Sequence, residues 1–409
     1  MRRVAVTGMS GVTSLGKDWP TIREAFRANR TGIKKMDSWD FYKDLNTRLA
    51  GPILDFNVDK HYSRKQLRSM GPVSRMAVYS TEVALKHAGL DGDSDLFGSG
   101  RMGVAYGSSF GSTQPMTAFS ELINTGMIKN LTATSYVKMM SHSAAVNIGI
   151  FFGLTGRVIP TSSACTSGSQ GIGYAYESIK YGLQDVMVAG GAEELCPSMA
   201  AVFDTLYATS TKNDAPDLTP RPFDQDRDGL VIGEGAGSLI LEEYERAKAR
   251  GATIYGEVVG FATNSDGNHI TQPTQETMQM ALQTALKDAK LDASAIDYVN
   301  AHGTATERGD IAESHATLKV IGGQTPIHSL KSYFGHSLGA CGALEAWLGL
   351  EMMHDGWFTH TTNLKTVDPA CADLDYIVSE GRTFDAEYMM SNNFAFGGIN
   401  TSLIFRKCS

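Results

Sequence analysis

The sequence predicts an α/β protein, a central sheet covered by helices on both faces. Two observations carry this. Between residues 102 and 193, short apolar runs ending in glycine or other small residues alternate with stretches of helical periodicity. The apolar runs are near-continuous rather than alternating, the mark of strands buried on both faces. At 409 residues the chain is long for one domain, and two packed halves follow, 1–250 and 251–409, with the boundary at Gly251.

In chain order, residues 4–7 form a buried strand that Gly8 ends, and residues 19–29 a helix. Residues 48–53 are a short strand or loop. Ser63 caps a short helix carrying Arg64, Lys65 and Arg68, a cluster that by itself suits a solvated helix face. An amphipathic helix over 76–88 stops at Gly89. A strand over 102–106 enters the small-residue loop 107–112, in which Phe110 is the one large side chain.

Residues 157–161 lead into a turn at Cys165, a helix over 172–181 and a strand over 185–193. Residues 221–229 and 233–237 are dense in charges and glycines, a composition suited to tight, ion-paired turns. Residues 239–250 pass from strand to helix. In the second half, strands are expected over 255–261, 296–300, 326–329 and 402–405, with helices over 279–289 and about 341–353. No internal repeat is visible by sequence identity.

Composition narrows the function. Hydrophobic residues at 42% and charged residues at 20% describe an ordinary globular protein. A net charge of -8 argues against general nucleic-acid binding. Five scattered cysteines without C-x-x-C spacing suggest neither a disulfide framework nor a zinc site, and they fit a reducing, cytoplasmic setting. The chain enters its first strand with no signal-peptide core. The most membrane-like run, residues 146–154, is too short to span a bilayer.

The chemistry centres on residues 161–171, where Cys165 stands among small residues at the start of a helix. Unpaired N–H groups and the helix dipole there favour the thiolate. An isolated cysteine in such a turn is more often structural. Here His302 and His336 each end an apolar run, and Lys331 precedes His336 by about a turn and a half. Neutral imidazoles donate N–H bonds to a developing oxyanion, and the loop 395–398 offers further backbone N–H groups. The pattern points to acyl chemistry through a cysteine thioester.

Residues 164–168 (ACTSG), 190–193 (GGAE), 221–224 (RPFD), 233–237 (GEGAG), 302–304 (HGT), 331–336 (KSYFGH) and 393–398 (NFAFGG) resemble, in order, the β-ketoacyl-[acyl carrier protein] synthases of type I/II. The resemblance runs from Val4 to Phe405. It implies a thiolase-like fold of two similar αβαβα halves in five layers, a homodimer or a heterodimer with a related subunit, and acyl carrier protein as partner. It implies no bound cofactor and no metal. Cys165 would carry the acyl group, and His302 and His336 would stabilise the enolate left when malonyl carrier protein loses carbon dioxide. Lys331 would organise the site with Glu345 as its buried partner. Cys165 and Phe396 would supply the oxyanion hole, with Phe396 also a gate. Thr304 and Thr306 would bind the pantetheine arm. Arg64, Lys65 and Arg68 would dock the acidic carrier, with Lys212 as an addition.

Two departures stand out. Phe110 falls where the family lines its acyl channel with a smaller residue, and Ala395 falls where glycine is usual. The segments at 39–40 and 46–50 resemble condensing enzymes of aryl polyene clusters, which leaves fatty-acid elongation and a specialised polyene or polyketide pathway both open. A degradative thiolase needs a second cysteine where this chain has Phe396. A chain-length partner subunit lacks the nucleophile. Initiating condensing enzymes use Cys-His-Asn, against the Lys331/His336 pattern.

Overall fold

The computed structural model describes residues 1–408. Eight elements of the first half matter for the site: β1 (Val4–Val12), α1 (Pro72–His87), β2 (Met102–Gly107), α2 (Ser143–Phe152), β3 (Val158–Thr161), α3 (Ser167–Lys180), β4 (Val186–Glu193) and β5 (Gly235–Glu243). Eight more follow: β6 (Gly256–Ser265), α4 (Gln275–Ala289), β7 (Tyr298–Asn300), α5 (Glu307–Ile321), β8 (Ile327–His328), α6 (Cys341–Asp355), β9 (Tyr388–Ala395) and β10 (Ile399–Lys407).

The ten strands form one continuous ladder, β8-β7-β9-β10-β6-β1-β5-β4-β2-β3. Counted outward from the β1–β6 seam, each half repeats one topology. Its first, fifth, fourth, second and third strands stand in that order. In both halves the first three run antiparallel to their neighbours and the last two join in parallel. The seam itself is antiparallel, with Val4 facing Val258.

Helices α3 and α6 pack on each other and on strands of both halves, so they form the central layer. Helices α1 and α2 cover the outer face of the first half, and α4 and α5 that of the second. The order is therefore helix, sheet, helix, sheet, helix, the thiolase-like arrangement. β1, β2 and β4 are buried at every position, as strands covered on both faces must be.

Several boundaries differ from expectation for identifiable reasons. β1 does not end at Gly8 but bulges there and runs on to Val12. α1 crosses so close that a Cβ at position 8 would meet the Ala84 carbonyl at 2.3 Å, so the glycine serves helix approach rather than strand termination. α1 begins at Pro72, four residues before its amphipathic pattern, because Pro72 at its first position sets a helical φ. α3 begins at Ser167 rather than residue 172, its small first-turn residues letting it thread between the layers.

Ser63 caps its helix with a full capping box to Gln66, but that helix is one turn, Arg64–Leu67. Among the described residues no helix is long and apolar enough to cross a membrane.

Candidate functional site

Cys165 lies in a single 3-10 turn, Ala164–Thr166, between β3 and α3. Ala164 holds φ at 50°, a costly value for a residue with a Cβ. Ala305, beyond His302, and Leu338, beyond His336, also have positive φ, at 65° and 45°. Each of the three loops that build the site thus carries backbone strain, which persists only where surrounding structure imposes it.

Those loops bring the motif residues together from both halves. His336 Nε2 lies 3.0 Å from Cys165 Sγ. The His302 and His336 rings meet edge to face, 5.2 Å between centroids. The Cys165 sulfur and one ring nitrogen of each histidine all fall within 4.8 Å of one another. His336 is pinned through its backbone: its N–H donates to the Val231 carbonyl at 2.7 Å and its carbonyl accepts from Gly233 at 2.9 Å. That gives the 233–237 glycines a structural task. The RPFD segment has one too, since Arg221 pairs with Asp224 at 3.0 Å and Asp224 accepts from the Lys365 and Thr366 N–H groups.

Behind the histidines, Lys331 and Glu345 form a fully buried ion pair. Burial works against the Lys331 ammonium, but the Glu345 carboxylate outweighs it and holds the lysine above its ordinary pKa. Burial lifts Glu345, while Lys331 and the Asn393 amide pull it back. Asn393 Nδ2 donates to Glu345 Oε2 at 2.7 Å and lies 3.4 Å from His302 Nδ1. Burial, and then the Lys331 charge, keeps both His302 and His336 well below the ordinary histidine value, so both are neutral at pH 7.

Electrostatics correct one expectation. Cys165 is not a standing thiolate: burial pushes its thiol up to about 11, against the opposing pull of the Phe396 amide, Lys331 and its own N–H. It sits ahead of α3 and is itself only 3% exposed, and desolvation there exceeds what the helix terminus supplies.

A cavity of about 510 Å³ opens onto these groups, with Cys165, His302, His336, Thr304, Thr306 and Phe396 on its wall. The Thr304 and Thr306 hydroxyls are 2.9 Å apart. Phe396 stacks edge to face on Phe203 at 5.9 Å. Phe110 is not on this wall and is 37% exposed. Arg64, Lys65 and Arg68 are exposed on the surface. Lys212 is occupied, bonding Asp228 at 3.2 Å and the Asp226 carbonyl at 2.8 Å.

Two acidic residues, Asp310 and Glu313, escaped the sequence reading, and a third, Glu193, entered it only as the last residue of the GGAE motif. Glu313 on α5 accepts from the His302 and Gly303 N–H groups at 2.6 and 2.7 Å, and burial lifts it to about 8. Asp310 accepts from Phe223 at 2.7 Å and is lifted by burial to about 6. Glu193, at the end of β4, is lifted by burial to about 7. The helix that carries Asp310 and Glu313, Glu307–Ile321, is not among the elements expected from the sequence.

One sulfur and two imidazoles are also a donor set for a soft divalent ion. The Lys331 charge that keeps the imidazoles neutral would repel such an ion at the same spot.

A fold of two repeated α/β halves with a cysteine and two neutral histidines at their junction defines a condensing-type acyltransferase. The chain belongs to the β-ketoacyl synthase family: residues 1–247 match the beta-ketoacyl synthase N-terminal domain and residues 255–365 its C-terminal domain. It is 38% identical to 3-oxoacyl-[acyl-carrier-protein] synthase 2 of Vibrio cholerae over 99% of both chains. Among solved structures, a beta-ketoacyl synthase from Burkholderia phymatum superposes with a TM-score of 0.98, at 60% identity over all of both chains. A type II polyketide ketosynthase, solved in complex with its acyl-carrier protein and bound to the hexaketide, gives a TM-score of 0.87 at 31% identity, again over all of both chains.

Proposed function

We propose that the protein joins an acyl group held on Cys165 to a malonyl unit, releasing carbon dioxide and giving 3-oxoacyl-[acyl carrier protein]. The observation that carries this is the Cys165–His336 contact at 3.0 Å, with neutral His302 beside it. In the first stage Cys165 sulfur attacks the carrier-bound thioester. The carbonyl oxygen becomes an oxyanion facing the N–H groups of Cys165 and Phe396. The carrier's pantetheine thiol departs with the proton that Cys165 gives up, and His336 Nε2 is placed to relay it.

In the second stage the malonyl thioester loses carbon dioxide. The electron pair of the broken C–C bond passes into an enolate, whose oxygen accepts N–H bonds from His302 and His336. The enolate carbon attacks the acyl-cysteine carbonyl, and Cys165 leaves as the thiolate, which takes up one proton from solvent to restore the resting thiol. Decarboxylation supplies the carbanion, so no strong base is needed, which agrees with two imidazoles kept neutral by burial and, after it, by the Lys331 charge. Lys331 in turn is kept charged by Glu345. Thr304 and Thr306 hydrogen-bond the arm, Phe396 gates the cysteine, and Phe110 shortens the acyl channel.

The partner is an acyl carrier protein, met by Arg64, Lys65 and Arg68 on an otherwise acidic enzyme. Lys212 is left out of that patch because it is already paired. The reading includes halves that divide near Gly251, a cytoplasmic protein and a homodimer. Support for the dimer comes from edge strand β3, whose Val158 is half exposed, and from α2, which packs on it and exposes Ile150. A chain-length partner subunit is disfavoured because the nucleophile and both histidines are assembled.

The test is intact-protein mass after incubation with a panel of acyl carrier proteins, then malonyl carrier protein. An adduct on Cys165 that disappears as a ketoacyl product two carbons longer forms is expected, and the best donor separates fatty-acid from polyene supply. No adduct with any donor would reject the reading.

A further inference from the structure

Glu193, at the carboxyl end of β4, is fully buried and stands off the cavity wall. Neutral groups from two separate loops hold it. Ser108 Oγ donates to Oε1 at 2.9 Å, and the Ser109 N–H donates to Oε2 at 2.7 Å. The Gly339 N–H donates to the same Oε2 at 3.1 Å. Ser108 Oγ also accepts from the Gly111 N–H at 2.9 Å, so both flanks of Phe110 are tied to this carboxyl group. Gly339 lies three residues beyond His336, in the turn that opens α6.

The junction is tight. A Cβ at Gly339 would meet Glu193 Oε2 and the Ser109 nitrogen, each at 2.7 Å. The next residue extends the same hold: Glu194 accepts from the Thr113 N–H at 2.7 Å and its hydroxyl at 2.6 Å. A buried carboxyl group is expensive, and a hydrophobic residue would fill the space at less cost. What a hydrophobic residue could not do is join a loop of the first half to a turn of the second.

We propose that Glu193 is a positioning residue that makes the Phe110 loop and the His336 turn one mechanical unit, so that the acyl chain held beside Phe110 governs the alignment of His336 with Cys165. This rests on the reading of Phe110 as part of the acyl channel. Pressure from a chain on the 108–111 loop is passed by Glu193 Oε2 to the Gly339 N–H, and so to the segment that carries His336. Chain length is thereby read in the catalytic geometry as well as in pocket volume.

The experiment compares wild type, Glu193→Gln, Glu193→Asp and Gly339→Ala by hydrogen–deuterium exchange and by kinetics with acyl carrier proteins of increasing chain length. In Glu193→Gln the amide turns a donor toward the Ser109 and Gly339 N–H groups or toward Ser108. Exchange is expected to rise at least tenfold in segments 108–112 and 336–340 together. kcat/KM should stay within about threefold of wild type for the shortest donor and fall tenfold or more for the longest accepted one. Gly339→Ala, which disturbs the same junction from the other side, should reproduce the pattern, and Glu193→Asp should lie between.

Exchange that rises in only one segment, or an activity loss equal at all chain lengths, overturns the proposal. If Glu193→Gln does not fold, Gly339→Ala and Glu193→Asp decide it by the same criteria. A wild type that accepts no acyl group rejects the functional reading instead, and the exchange data alone then decide whether the segments move together.

Discussion

His336 Nε2 stands 3.0 Å from Cys165 Sγ although the two residues are 171 apart in the chain and belong to opposite halves of the fold. The contact joins a neutral imidazole to a neutral thiol, since burial raises the cysteine and lowers the histidine. The resting site is therefore uncharged at the sulfur.

That state sets the pH dependence of thiol labelling. With the Cys165 pKa raised to about 11, the thiolate fraction of free enzyme grows roughly tenfold per pH unit across pH 7–10. Iodoacetamide labelling of Cys165, followed by mass spectrometry, should climb through that window. A plateau below pH 8 would mean a standing thiolate and overturn the assignment.

The Lys331–Glu345 pair is buried on both sides, and breaking it strands one charge. Lys331→Met should cost about 3–5 kcal/mol by chemical denaturation, and Glu345→Gln a similar amount. Lys331→Met also removes the charge that adds to burial in lowering both imidazoles. The expected kinetic signature is a histidine titration moving up toward neutrality in the pH profile of condensation. A stability loss with an unchanged profile would leave the pair a purely structural one.

Arg64, Lys65 and Arg68 are exposed beside a capped single-turn helix. Reversing Lys65 and Arg68 to Glu should raise KM for carrier-protein donors roughly tenfold at low salt, less as salt is added, and leave small thioester analogues unchanged. Equal damage to both substrate types would make the cluster structural.

Phe110→Gly should lengthen the longest acyl chain accepted, read from the product distribution over a donor panel. An unchanged distribution would remove Phe110 from the channel, in line with a ring that lies off the cavity that reaches Cys165.

What could be read from sequence was whatever depends on neighbours in the chain. The strand–helix alternation, the Ser63 cap and the short motifs around Cys165, His302, Lys331 and His336 are local patterns, and the fold brings those motif residues to one place. What could not be read depends on distant packing. Gly8 looks like a strand end until α1 is seen lying across it. Cys165 looks like a helix-start thiolate until its desolvation is counted. Glu193 is only the last residue of a strand motif, and Glu313 belongs to no motif, until each is found holding backbone N–H groups of a site loop. The repeated strand order leaves no trace of sequence identity because the two halves share only a path through space.

That repeated path has a consequence for how the protein fails. Cys165 and His336 each follow the third strand of their own half, so neither half holds a complete reaction centre. A small shift of one half against the other at the β1–β6 seam would silence the chemistry while most strand pairs remain. Heat, denaturant or a mutation at the seam should extinguish turnover before most secondary structure is lost, which makes the active site a gauge of registry between the two halves.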